Sequence, residues 1–184
     1  VNIRGYSAAK PAIQTDEYTL RAVSTPYTEY SHGLIAEETD RREFRPEKAR
    51  ALGLDPGPKY GKLQSGHAVD TSDGRTIEPE EVLSAPKPGR KIVYTSDTTP
   101  TADIVDAATD ASLLIYSTMF TDEQTERARS TGHSTATDAA QAGAEADSHR
   151  LWLTHISPRH EGDEQTLESE AREVFDGDVV AVRD

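Results

Sequence analysis

The chain has no cysteine among its 184 residues. That excludes disulfides and thiolate metal sites and is compatible with a reducing compartment. No apolar run reaches the roughly 20 residues that a membrane helix needs. The opening stretch VNIRGYSAAK has no signal-peptide hydrophobic region, so the expectation is a soluble chain, cytoplasmic by default, with no membrane partner. Positive charge is also scarce: 20 Lys and Arg stand against 33 Asp and Glu, a net charge of −13. Such a surface repels phosphate in ordinary salt and, taken alone, argues against nucleic acid. An acidic surface with few lysines is equally what a halophilic cytoplasm favours, where the Debye length falls to about 3 Å. In that setting local basic clusters say more about partners than the total does.

What is present fits one domain with a real core. EYTLRAV and HGLIAEE, within residues 17–38, alternate as strands do. Residues 39–90 change character: Gly, Pro and charge accumulate, with one short helix expected from Pro46 to Leu52 and a hairpin at TSDGR. This segment reads as an excursion from the core. From Gly89 onward the pattern is regular. KIVYTS, SLLIYS, LWLTH and DVVAV read as strands, and helices are expected between them. The first of these helices has Pro100 in its first turn, Thr121 and Gln124 fit a capping box, and Ser134 is a plausible cap. Strands alternating with helices imply an α/β layered sheet, parallel in part.

That layout gives two side chains a common address. In open α/β sheets ligands collect beyond the carboxyl ends of the strands. Asp97 lies just past KIVYTS and His155 ends LWLT. If those strands are parallel neighbours, a carboxylate and an imidazole converge on one edge, a suitable pair for zinc or manganese. Spacing alone allows the other reading, in which each residue caps a helix or a turn.

Several ordered strings carry a resemblance. From about residue 17 to residue 160 the chain resembles the C-terminal half of ribonuclease Z, the tRNA 3′-processing endonuclease of the metallo-β-lactamase fold. YTSDTTP is similar to that family's YTGDTRP, GHST matches outright, and LTHISPRH is similar to LTHFSPRY. DRREFRPEKARALGLDPGPKYGKLQSG resembles its extended arm. The resemblance implies half of an αββα sandwich, a single incomplete domain over 1–184 with a tRNA-binding arm at 39–66. It implies that Asp97 bridges two zinc ions, that His155 binds one of them, and that His133 stabilises the transition state or protonates the leaving oxygen. Ser134 and Thr135 would face phosphate at a helix start, where free N–H groups favour an anion. In the arm, Arg42, Arg45, Lys59 and Lys62 belong to a run of seven basic residues that also includes Arg41, Lys48 and Arg50. Their role would be to grip precursor tRNA; read as residues alone, they also suit a solvated helix face with i,i+4 ion pairs.

The departures matter as much. The family's H-x-H-x-D-H string occurs nowhere in the chain. Tyr27 stands where a further metal histidine is expected, and Tyr116 and Ser117 replace the histidine and carboxylate of the family's H-E-A-T-F. The chain thus offers Asp97 and His155 as ligands and no other obvious ones, too few for two metals. His67 reads as exposed, His149 as a helix end, His160 as exposed or near phosphate, Trp152 as core, and Glu161 to Glu173 as a solvated helix face. Two functions follow. One is a zinc-dependent tRNA 3′ endoribonuclease, working with a complementary N-terminal half or as a homodimer. The other is a degenerate, non-catalytic module that binds RNA or a partner subunit. Half of a sandwich would leave the inner face of its sheet exposed, so association or marginal stability is expected.

Overall fold

The structure, a computed structural model, describes residues 11–160, 162 and 164–182; the opening stretch VNIRGYSAAK, Glu161 and Asp163 lie outside the described residues. In chain order the elements are β1 (Ile13–Gln14), β2 (Tyr18–Ser24) and β3 (His32–Glu38). There follow α1 (Pro46–Ala51), α2 (Pro58–Gln64), β4 (Val69–Asp70), β5 (Thr76–Ile77) and α3 (Pro79–Val82). The rest are β6 (Lys91–Tyr94), α4 (Ala102–Ala108), β7 (Leu113–Ser117), α5 (Thr125–Thr131), α6 (Ala136–Glu145), β8 (Arg150–Thr154), α7 (Glu164–Arg172) and β9 (Asp178–Ala181). Asp40–Gly89 forms one compact unit and the remaining described residues form another.

The larger unit is built on a seven-stranded sheet in the order β1-β2-β3-β6-β7-β8-β9. β1, β2, β3 and β6 pair antiparallel, whereas β6, β7, β8 and β9 run parallel. Parallel neighbours need a crossover, and α4, α6 and α7 supply it. Side chains alternate across the pleat. On one face the register aligns Ile35, Val93, Leu114, Leu151 and Val179, all buried. They pack with Ile104 and Ala108 of α4, with Ala136, Ala139, Ala140 and Ala142 of α6, and with Leu167 and Ala171 of α7. The small residues of α6 let it lie close: a Cβ on Gly143 would stand 3.2 Å from the Phe175 ring.

The other face has no helix over it among the described residues. Leu34, Tyr94, Ile115, Trp152 and Val180 form its transverse row. Four of them, Leu34, Tyr94, Trp152 and Val180, are between 37% and 43% exposed. Trp152 was expected in the core. It lies instead on the open face, because Leu151 and Leu153 on either side of it turn towards the helices. A contiguous apolar row of this width is unusual on a free surface.

Glycine matters at the joint between β3 and β6. A Cβ on Gly33 would come within 2.6 Å of the Tyr94 carbonyl oxygen, so only a hydrogen side chain lets these strands pair.

Asp40–Gly89 has its own small core of Ala49, Leu54, Leu63, Val69, Ile77 and Val82, backed by Phe44, Leu52 and Tyr60. The expected helix at Pro46 and the hairpin at TSDGR are both present. Two further helices, α2 and α3, were not expected, because Gly and Pro dominate their surroundings. Each starts on a proline at its first turn, where the missing N–H costs nothing. A reciprocal box between Glu78 and Glu81 fixes α3. Ion pairs join Arg42 to Glu80, Arg75 to Glu81 and Lys87 to Glu43, none of them the i,i+4 pairs of a helix face. No described helix is long and apolar enough to cross a membrane.

Candidate metal centre

β6 and β8 are parallel but not neighbours; β7 runs between them. Their carboxyl ends nonetheless share one edge, and the chain turns sharply there. After β6, Ser96 takes a left-handed conformation with φ 55°, and after β8 His155 does the same with φ 57°. Such backbone is uncommon and costly for residues with a Cβ. It aims Asp97 and His155 at each other: His155 Nε2 lies 3.5 Å from Asp97 Oδ1.

A third group arrives from α5. Gly132 ends that helix in a left-handed conformation, φ 76°, and the His133 N–H donates back to the Ala128 carbonyl at 2.9 Å. The His133 ring then stands 5.7 Å from the His155 ring, 5.0 Å from Tyr27 and 6.1 Å from Phe120, centroid to centroid. Tyr27 thus packs on the rim of the cluster, and a Cβ on Gly132 would touch its ring at 3.2 Å.

Asp97, His133 and His155 each offer one donor atom, and all three atoms lie within 4.8 Å of one another. The Nδ1 of His133 is buried without a hydrogen-bond partner. Burial holds the His133 imidazole below its ordinary pKa; the His155 ring lowers it further, against the opposing pull of Asp97. A ring kept neutral retains the lone pair that a cation needs. Two imidazoles and a carboxylate with an open side fit one zinc-like cation; a pair of cations would need more donors.

The Ser134 hydroxyl is fully buried and donates to the Thr98 carbonyl at 2.7 Å, so Ser134 is not the helix cap. Thr135 caps α6 instead, in a reciprocal box with Asp138. Both hydroxyls are thereby engaged inside the protein. Thr121 makes no side-chain cap, and Pro100 precedes α4, whose cap is Thr101. Arg42, Arg45, Lys59 and Lys62 lie in Asp40–Gly89. Arg42 bonds Glu80 and the Ser84 carbonyl, Lys59 bonds the Asp70 carbonyl, and Arg45 and Lys62 are exposed. His160 is half-buried and bonds Gln124 at 3.0 Å. His67 is exposed. His149 lies four residues beyond the end of α6, in the lead-in to β8, not at a helix end.

Tyr116 and Ser117, read from the sequence as lost ligands, have opposite fates. Tyr116 is wholly buried among the core residues, where burial pushes its phenol far above its ordinary pKa. Ser117 turns to the site, its hydroxyl donating to Asp97 Oδ1 at 2.8 Å. A serine in place of a carboxylate gave no signal that it would do so.

No family model matches the chain. It is 42% identical to a curated ribonuclease Z of Haloarcula marismortui over all of its own length and 60% of that protein's. It is 41% identical to the ribonuclease Z of Haloferax volcanii, again over its whole length and 58% of that relative. The chain therefore spans about 60% of the curated relatives it matches. Among solved structures it is similar to YhfI, a metallo-beta-lactamase fold protein from Bacillus subtilis, with a TM-score of 0.61 at 18% identity. That match covers 97% of this chain and 52% of YhfI. The fold is thus about half of a metallo-β-lactamase fold.

Proposed function

Because the chain belongs to the ribonuclease Z family as a relative of partial length, we propose that it is part of a zinc-dependent endoribonuclease that removes 3′ trailers from precursor tRNA. The observation that carries this reading is the meeting of Asp97, His133 and His155 at the carboxyl edge of parallel strands. A zinc ion held there would act as a Lewis acid and lower the pKa of water. The chain's own residues do the rest. Asp97 and His155 hold the cation, and His133 either completes the donor set or moves a proton at the departing 3′ oxygen.

Two further elements serve the same substrate and the same fold. The basic residues of Asp40–Gly89, with Arg45 and Lys62 exposed, would meet tRNA phosphate. The open face through Tyr94 and Trp152 would receive a complementary half or a second copy, which would also bring missing donors to the cation. The acid excess of the whole chain suits a salt-rich cytoplasm.

The second reading keeps the RNA contact and drops the chemistry. It is favoured by Tyr27 and Tyr116, which occupy positions where the family resemblance expects histidines, and by a donor set of three. One experiment separates the two. Cleavage of precursor tRNA is assayed with the pure chain, with and without an added N-terminal half carrying H-x-H-x-D-H. Cleavage that needs zinc and is lost in His155→Ala supports the enzyme. RNA binding without cleavage under both conditions supports the module.

A further inference from the structure

Ser117 ends β7, the strand that separates the two carrying Asp97 and His155. It is 1% exposed, and both of its polar groups act towards the site. Its N–H donates to Thr95 Oγ1 at 3.1 Å, and the Thr95 hydroxyl in turn donates to the Ser96 carbonyl at 2.9 Å. Ser96 is the left-handed residue that swings Asp97 inward. The Ser117 hydroxyl donates to Asp97 Oδ1 at 2.8 Å. On its other side Ser117 pairs in register with Thr154, which precedes His155, and the next N–H, that of Thr118, donates to the Thr154 carbonyl at 2.7 Å.

A carboxylate on a short turn can rotate freely, and its affinity for a cation falls with that freedom. Hydrogen bonds from neighbouring groups to ligating side chains fix their orientation, and losing one typically weakens metal binding. Ser117 meets both needs at once: it braces the turn through Thr95 and fixes the carboxylate through its hydroxyl. We propose that Ser117 is the positioning residue of this centre, holding Asp97 in the orientation that takes a divalent cation. This rests on the cation-site reading above. It also gives a function to a residue whose type carries no metal-ligating chemistry of its own.

The test is zinc titration of the full chain, with a chromophoric chelator as competitor, for wild type, Asp97→Ala, Ser117→Ala and Ser117→Thr. The visible spectrum of the cobalt(II)-loaded proteins is recorded in parallel. The expected result is that Ser117→Ala binds zinc about 10- to 100-fold more weakly with altered cobalt bands, while Ser117→Thr, which keeps the hydroxyl, restores both. A lower melting temperature in Ser117→Ala with zinc affinity and cobalt spectrum unchanged makes the residue merely structural and overturns the proposal. Zinc binding by wild type that does not depend on Asp97 removes the cation site itself, and the role of Ser117 falls with it.

Discussion

Asp40–Gly89 and the rest of the chain differ most in charge. The insertion holds nine Lys and Arg against nine Asp and Glu, leaving eleven against twenty-four elsewhere. The whole net charge of −13 therefore belongs to the sheet-bearing part. The acidic total describes the sheet-bearing part and not the insertion, which is neutral. The two parts also differ in how they are held. A sheet of seven strands buries one face under three helices, whereas fifty residues gather around six buried side chains. One part carries the candidate centre; the other carries the basic residues that the family resemblance assigns to RNA.

If the two parts are separate in stability as well as in charge, four variants should show it. The largest effect is expected from Leu63→Ala. Leu63 is fully buried at the centre of the small core, and such a truncation costs about 2–5 kcal/mol. A core this small tolerates little loss. Amide exchange should accelerate across 40–89 while the sheet amides stay protected; equal loss in both would break the comparison.

Gly33→Ala should do the reverse. Its Cβ would press on the Tyr94 and Thr95 carbonyls, at an overpacking cost of about 1–3 kcal/mol. The melting of the sheet and the zinc affinity should fall together, with 40–89 unaffected.

Ser96→Gly should be a smaller, stabilising change. A non-glycine residue at φ 55° carries about 1–2 kcal/mol of strain, partly offset by the entropy that glycine loses on folding. Denaturant unfolding should shift upward by about 0.5–1 kcal/mol.

The least effect on stability is expected from Arg45→Glu with Lys62→Glu, both exposed. Unfolding should move by no more than about 0.5 kcal/mol. RNA affinity should drop and depend less steeply on salt. An unchanged affinity would take the insertion out of RNA binding.

Much of this arrangement was legible in the sequence. Alternation in HGLIAEE and the short apolar runs KIVY and LWLT located β3, β6 and β8, and the strand-helix order indicated parallel pairing. Asp97 and His155 were placed on one edge by that logic. What stayed hidden depended on partners distant in sequence. Nothing local says that β7 inserts between β6 and β8, so Ser117 read as a loss. Trp152 follows the pleat, and which face the helices cover is a tertiary fact. Thr135 outcompetes Ser134 as a cap because Asp138 answers it across one turn, while the Thr98 carbonyl claims Ser134. The helices of the insertion begin on prolines in a Gly-rich stretch, where propensity argues for loop.

The central claim is that Asp97, His133 and His155 form one cation site. X-ray absorption at the zinc edge, on the chain loaded with one equivalent, tests it most directly. The account predicts imidazole scattering from two histidines, with nitrogen and oxygen neighbours at about 2.0–2.2 Å, weakened but not abolished in His155→Ala, where His133 remains. A spectrum with oxygen neighbours alone, unchanged by that substitution, would contradict it.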